Sequence, residues 1–342
     1  GRVRDSTLGG LGEFLLYFRE LNRRMHNKLL VVDNRTGVVG GRNIGNQYFG
    51  LGSKYNFLDL DVLVLGAVIP EISWAFDEYW NAELSYPGEA MGSGGSAEEE
   101  ARLRTGLQEA LSQAAEQLSA YPRQRKDWSA WIKGLLNEVK TGEAHFLQDE
   151  PVRIGEEEVR LLDMLDYLSE PNHQELMVVS PYLIPSRKSL KNLQRLTSEG
   201  VEVKVMTGSM GANNHTAAHS HYKKYRHPLL NAGAFLFELR HDPSSQVRED
   251  TDVPPGRSKF ICLHIKTMVG DRTRSFIGSL NFDPRAVDIN TENGLLIESQ
   301  PLSQELAAHL DELMGPANSW RVYHNEEGWL RWSSDKKTVS TQ

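Results

Sequence analysis

The apolar positions of this chain fall into short runs separated by Gly, Pro, Asn and Asp, and between them lie stretches with helical spacing. Residues 24–32 carry Met25 and then Leu29 to Val32, which predicts a strand. A turn at residues 33–37 and a second short strand through Val38 and Val39 follow. The runs at 58–65 (LDLDVLVL), 144–147, 175–180 (ELMVVS), 201–206, 235–239 and 295–298 predict further strands. Helical spacing appears at 70–80, 97–120, 127–140, 159–170, 186–199, 225–231 and 302–314, with Pro70 opening the first and Gly200 and Gly233 closing two others. Residues 10–21 read as a short helix or a loop. Strands that alternate with helices predict α/β layers.

One stretch occurs twice. Residues 25–43 read MHNKLLVVDNRTGVVGGRN and residues 263–281 read LHIKTMVGDRTRSFIGSLN. His26 and His264 are 238 positions apart, and the same offset relates Lys28 to Lys266, Asp33 to Asp271, Gly40 to Gly278 and Asn43 to Asn281. A lone H-x-K carries little information, but H-x-K-x4-D-x6-G-[GS]-x-N in two gapless copies marks a duplicated unit. Residues 85–96 (SYPGEAMGSGGS) have the composition of a linker. The chain therefore divides into residues 1–84, a helical linker over 85–142, and residues 143–342. The halves are unequal. Strand–helix units precede His264 that have no counterpart before His26, and the expectation is an N-terminally truncated first half.

Composition narrows the function. The 342 residues are 39% hydrophobic and 25% charged, with mean hydropathy −0.47, as in globular proteins. No apolar run reaches the length of a membrane-spanning helix. The net charge of −8 argues against a nucleic-acid partner. Cys262 is the single cysteine, so no disulfide forms within the chain.

Residues i and i+2 of a strand share a face, which sets His26 beside Lys28 and His264 beside Lys266. Imidazole serves as nucleophile or general acid/base near neutral pH, and a lysine offers a fixed positive charge to an anion. His, Lys and Asn in two facing copies make a site for one phosphoryl group. One histidine attacks phosphorus, and the other protonates the leaving alcohol and deprotonates the incoming one. The cations stabilise the charge on the phosphoryl oxygens, and neither a metal nor a cofactor is required.

The doubled motif resembles the paired signature of the phospholipase D superfamily. RMHNK with GGRNIGNQYFG, LDLDVLVLG with FDEYWN, SPYLIPS, HYKKYRHPLLNAGAFLFEL, GSLNFDPRAVDINTENGLLI and SWRVYHNEEGWLRW resemble the type C branch of bacterial cardiolipin synthases. The resemblance implies two phospholipase D-like α/β/α sandwich domains related by a pseudo-twofold axis, the first incomplete. It also implies phosphatidyl transfer to form cardiolipin through a covalent phospho-histidine; the alternatives are a phospholipase D-type hydrolase or a metal-independent nuclease using the same chemistry, or an inactive membrane-associated binding module. By the family pattern His26 is the nucleophile and His264 the acid/base, although the residues alone leave the order open. Lys28, Lys266, Asn43 and Asn281 carry over as phosphate ligands with Ser279 in support, and Asp33 and Asp271 as structural turn residues. Asp61 and Glu292 carry over as the acids that hydrogen-bond the far nitrogen of each histidine. The implied substrates are phosphatidylglycerol and a second phospholipid, at the cytoplasmic face of an inner membrane.

Two departures from the family pattern stand out. Gly41 occupies the place of Ser279, and Asn213 with Asn214 stand where the family runs an Asp, which leaves the acceptor open. His215, His219 and His221 lack a cysteine or carboxylate at ligand spacing and do not read as a metal site. His219 is a candidate to line the active site instead. Lys223, Lys224, Arg226 and His227 meet anionic head groups or form a solvated face. Tyr182 walls the pocket or fills the core. Trp74, Phe76 and Trp80 read as core, as does Cys262.

Overall fold

The computed structural model describes residues 22–92, 95–121, 128–151, 161 and 174–340. The first half holds β1 (Leu29–Val32), β2 (Thr36–Gly40), β3 (Tyr55–Leu58), β4 (Asp61–Leu65) and α1 (Ile69–Trp80). Two helices follow, α2 (Ala97–Gln113) and α3 (Trp128–Glu138). The second half runs β5 (Glu143–Gln148), β6 (Glu175–Val179), α4 (Arg187–Ser198), β7 (Glu202–Gly208), α5 (Thr216–Tyr222), α6 (Arg226–Asn231), β8 (Phe235–Leu239) and α7 (Ser245–Glu249). It continues through β9 (Phe260–Leu263), β10 (Thr267–Gly270), β11 (Arg274–Gly278), α8 (Pro284–Asp288), β12 (Asn293–Glu298) and α9 (Gln300–Met314), and closes on β13 (Ser319–His324), β14 (Leu330–Ser333) and β15 (Thr338–Ser340). The expected readings at 10–21 and over most of 159–170 lie outside the described residues.

The architecture is mixed α/β. Ten strands form one sheet in the order β15-β14-β13-β8-β7-β6-β10-β11-β12-β5, with β6, β7 and β8 parallel. A three-stranded antiparallel sheet, β1-β2-β4, belongs to the first half. The repeat in sequence is a repeat in register. Leu29 pairs with Val39 as Thr267 pairs with Ile277, and Val32 pairs with Thr36 as Gly270 pairs with Arg274. Each hairpin turns through two residues with positive φ, Asp33 and Asn34 in one copy and Asp271 and Arg272 in the other. Positive φ at two successive residues suits the twist of a tight hairpin, here with three residues between the last paired positions, and Asp and Asn tolerate it better than most residues. The Asp271 carboxylate also accepts from the amides of Gln174 and Glu175, tying the turn to the start of β6.

The two halves share one core. Val39, Leu58, Ile69 and Ile72 pack with Met177, Val179, Val269, Ile277 and Leu295 between the sheets, and α9 adds Leu306, Leu310 and Leu313. Burying such aliphatic side chains contributes about 1.5–3 kcal/mol each. On its other face the large sheet packs Met268, Phe276 and Leu296 beneath Leu196 of α4 and Leu229 of α6. The matching face of the small sheet is open, with Leu30 58% and Leu63 50% exposed. Among the described residues β1 has no strand on its outer edge, whereas β10 pairs with β6.

Two expectations fail here. The His-x-Lys triplets do not lie inside strands. Both occupy the break between a segment that pairs with the other half and a strand of their own sheet. Met25 bridges to Thr291 before β1 begins, and β9 pairs in parallel with β3 before β10 begins. Trp74, Phe76 and Trp80 are not core either. They lie on the solvent side of α1, where Phe76 and Trp80 stack at 5.8 Å, while Ile69, Ile72 and Ala75 take the buried side. α2 buries none of its residues, although Ser96 and Glu99 form a capping box that starts it.

Candidate active site

Because each His-x-Lys sits where its chain crosses from one half to the other, both histidines come to the seam between the halves. The His26 amide donates to the Thr291 carbonyl at 2.9 Å, and the His264 amide donates to the Leu58 carbonyl at 2.8 Å. The residue after each acceptor is the acid that holds the ring. Glu292 Oε2 lies 2.7 Å from His26 Nδ1, and Asp59 Oδ2 lies 2.6 Å from His264 Nδ1. Each half therefore supplies the carboxylate for the other half's histidine. Both carboxylate side chains have no exposed surface. With Nδ1 engaged, Nε2 of each ring is left to meet a substrate.

Asp61 does not hold a histidine. Its carboxylate accepts from Arg42 Nε at 2.5 Å and from the Arg42 amide at 3.2 Å. In strand register Gly40 pairs with Asp61 as Gly278 pairs with Gly294, so the counterpart of Glu292 is two residues before Asp61. The chain breaks at Asp59 and Leu60 between β3 and β4, and the two aspartates go to different places. A continuous strand over LDLDVLVL would have kept them on one face, and the pattern of residues gives no sign of the break.

The remaining motif residues differ between copies. Lys28 Nζ turns back to the His26 carbonyl at 2.7 Å, and Lys266 Nζ makes the same bond to the His264 carbonyl at 2.5 Å. Ser279 Oγ donates to Glu292 Oε2 at 2.6 Å, so it orients that acid rather than facing outward as a phosphate ligand. Gly41, at the matching place, has no room for a side chain, since a Cβ would stand 2.5 Å from Asp59 Oδ1. Asn281 is buried with Oδ1 unpartnered, while Asn43 donates from Nδ2 to the Tyr48 hydroxyl at 2.8 Å. Asn293, not singled out in the sequence, accepts from the Lys28 amide at 3.0 Å and pins that backbone to β12.

Around His264 the first half builds a wall of rings. Tyr48 stands edge-on at 5.1 Å between centroids and Phe57 at 4.8 Å. Burial, helped by the neighbouring Lys266 charge, pushes His264 down to about 4 despite the Asp59 bond. Burial likewise lowers Lys28 to about 7 against the pull of Glu292, and Lys266 to about 8 against Asp59 and Glu292. For Asp59 burial works upward, but Lys266 and the His264 bond outweigh it and hold the carboxyl low. Lysines lowered this far sit in a site short of water.

Other expectations sort by geometry. Tyr182 is half-buried and donates to Asn214 Oδ1 at 2.9 Å, with His215 edge-on to its ring at 5.8 Å. His219 is buried against Arg226, Nε2 to Nη2 3.4 Å, and does not join His215 and His221 in a cluster. Among the described residues no group of three His, Cys, Asp or Glu could hold a metal ion. Arg226 is not a surface cation, because it pairs with buried Glu238 at 2.7 Å, while Lys223 and Lys224 are exposed. Cys262 is buried, and burial raises its thiol to about 12.

A family model described as the cardiolipin synthase, phospholipase D-like domain matches residues 164–314. Cardiolipin synthase C of Escherichia coli is 30% identical over 331 residues, covering 93% of this chain and 67% of that protein. An uncharacterised protein of Helicobacter pylori is 29% identical over 322 residues, covering 93% of this chain and 62% of its own length. The chain thus spans about two thirds of the length of such relatives. Among solved structures, a phosphatidylserine synthase of Haemophilus influenzae superposes with a TM-score of 0.59 at 15% identity, covering 90% of this chain and 65% of that one, which is a likeness of fold.

Proposed function

The chain belongs to the cardiolipin synthase-like family of the phospholipase D superfamily, and on that footing we propose that it transfers a phosphatidyl group between phospholipids to form cardiolipin through a phospho-histidine. One observation carries the mechanism: two histidines, each held on Nδ1 by a buried carboxylate from the opposite half, with no hydrogen-bond partner on either Nε2 among the described residues. A nucleophilic Nε2 attacks phosphorus and the P–O bond to the leaving alcohol breaks as the second imidazole delivers a proton to it. That imidazole then takes the proton of the acceptor hydroxyl, whose oxygen attacks phosphorus and breaks the P–N bond, releasing the first histidine. Lys28 and Lys266 balance the charge on the phosphoryl oxygens. His264, neutral at rest, has the lone pair that a nucleophile needs. The order in which His26 attacks therefore requires that the bound anion first raise His264 toward its imidazolium form.

The substrates in this reading are phosphatidylglycerol and a second phospholipid, met by a peripheral protein at the cytoplasmic face of an inner membrane. Among the described residues no helix is long and apolar enough to cross a membrane. The purified protein, given both lipids in vesicles, yields cardiolipin, and His26→Ala and His264→Ala yield none. Rapid acid quench with labelled donor places the label on His26. Label on His264 reverses the order, and release of phosphatidic acid with no cardiolipin makes the protein a hydrolase.

The lysines give a separate expectation. With Lys28 lowered to about 7 and Lys266 to about 8, both are partly uncharged near pH 8 before substrate arrives. A bound phosphodiester favours the ammonium forms, so binding takes up protons at about pH 8, and KM rises as the pH goes higher. Titration calorimetry in two buffers of different ionisation enthalpy reads this directly. Equal heats in both buffers would contradict it.

A further inference from the structure

Asn43 and Asn281 hold the same place in the two motif copies, but they are not used alike. Asn281 Oδ1 is buried beside the seam without a partner, and among the described residues its amide is not tied to a neighbouring hydroxyl. Asn43 is spent within the protein, its Nδ2 donating to Tyr48 Oη at 2.8 Å. A phenol can accept that bond and still donate its own proton. Among the described residues no acceptor takes the Tyr48 proton. The ring lies tilted against Phe57 at 4.5 Å and edge-on to His264 at 5.1 Å. Since Asp59 holds Nδ1 of His264, phosphorus must approach its Nε2, and the Tyr48 ring lies beside that imidazole. Burial raises the phenol pKa, which keeps it a donor.

The backbone beneath the ring is fixed as well. Arg42 Nη1 donates to the Tyr48 carbonyl while its Nε donates to Asp61. Asp61 therefore does position something in this site, at two removes. At the offset of 238 the second half carries buried Ala286, which has no hydroxyl to offer.

We propose that Tyr48 is the first half's neutral donor to the phosphoryl oxygens, and that Asn43 acts through it by orienting the phenol. This rests on the phosphoryl-transfer reading above. In the other half Asn281 has no such intermediary and would donate from its own Nδ2, so the site is asymmetric where the motif is symmetric.

Tyr48→Phe keeps the ring against Phe57 and His264 and removes only the hydroxyl. Orthovanadate, which adopts the geometry of a transferring phosphoryl group, is the probe. Binding is followed by calorimetry on the whole chain and turnover by lipid product. Tyr48→Phe weakens vanadate binding at least tenfold and lowers kcat by ~10²-fold, the scale set by loss of one preorganised donor. Asn43→Ala has a similar effect, and the double variant is no worse than Tyr48→Phe alone, because one residue works through the other. Independent, multiplying effects overturn the proposal, and so does normal vanadate binding by Tyr48→Phe. An unchanged melting curve for Tyr48→Phe confirms that the loss is local. A wild-type protein that binds no vanadate refutes the phosphoryl-transfer reading itself, whereas normal wild-type binding with an indifferent Tyr48→Phe refutes only the role of Tyr48.

Discussion

Asp59→Asn lowers turnover by ~10³–10⁴-fold, the cost seen when the carboxylate that fixes a catalytic imidazole is replaced by its amide. Two effects combine. The amide cannot fix the tautomer that carries its proton on Nδ1, and it removes the negative charge that would stabilise an imidazolium. The Asp59 side chain has no exposed surface and its Oδ2 lies 2.6 Å from the ring, so water does not substitute. Asp61→Asn, two residues on and on the same strand in a simple reading of the sequence, costs less than about tenfold, since Asp61 touches Arg42 and no histidine. Initial rates of lipid product for the two variants check the pair together. Equal losses, or the larger loss at Asp61, would show that the carboxylates have been assigned the wrong way round.

Gly278→Ala destabilises the protein by about 3 kcal/mol, at the upper end of ordinary overpacking. The motif glycine is needed where two strands touch without side chains between them. A Cβ at Gly278 would press on the Asn293 carbonyl and stand 2.7 Å from both Gly294 Cα and Phe276 Cζ. These are backbone and a buried ring, neither able to step aside. β12 must move away, and it carries Glu292 at its head. A displacement of about 1 Å at a catalytic group costs ~10²-fold in rate, so activity fails along with stability. Thermal melting and initial rates on one preparation measure both. A variant that melts like wild type would mean that β11 and β12 are less closely apposed than this pairing requires. Gly40 meets Asp61 and Leu60 in the same way and is the matching test in the first half.

Much of this was legible in the chain. The offset of 238 between the motif copies becomes an identical strand register, because hairpin pairing follows turn geometry and both turns have the same length. His26, Lys28, His264, Lys266 and Glu292 converge at one seam. What could not be read was set by the segment after each motif. From Asn43 to Asp59 the chain runs 16 residues and includes β3, whereas from Asn281 to Glu292 it runs 11. A fixed offset therefore points past the true acid. Tyr48 and Phe57 were hidden for a similar reason, since one closes a single three-residue turn and the other sits in a four-residue strand, both too short to give a periodic signal. Trp74 and Trp80 were misread because large apolar side chains usually signal a core, and here α1 had already filled its buried side with Ile69, Ile72 and Ala75.

The exchange of carboxylates across the seam also makes the chemistry conditional on assembly. Neither half, folded alone, has a histidine in a working tautomer, because Asp59 and Glu292 each arrive with the opposite half. On the proposed phosphoryl-transfer reading, a chain whose halves have not yet docked lacks both imidazole–carboxylate pairs. The same arrangement is what two identical subunits would make about a true twofold axis, each lending its acid to the other. In that light one polypeptide holds what a symmetric pair would hold, and Tyr48 and Ser279 mark where its two halves depart from the symmetry.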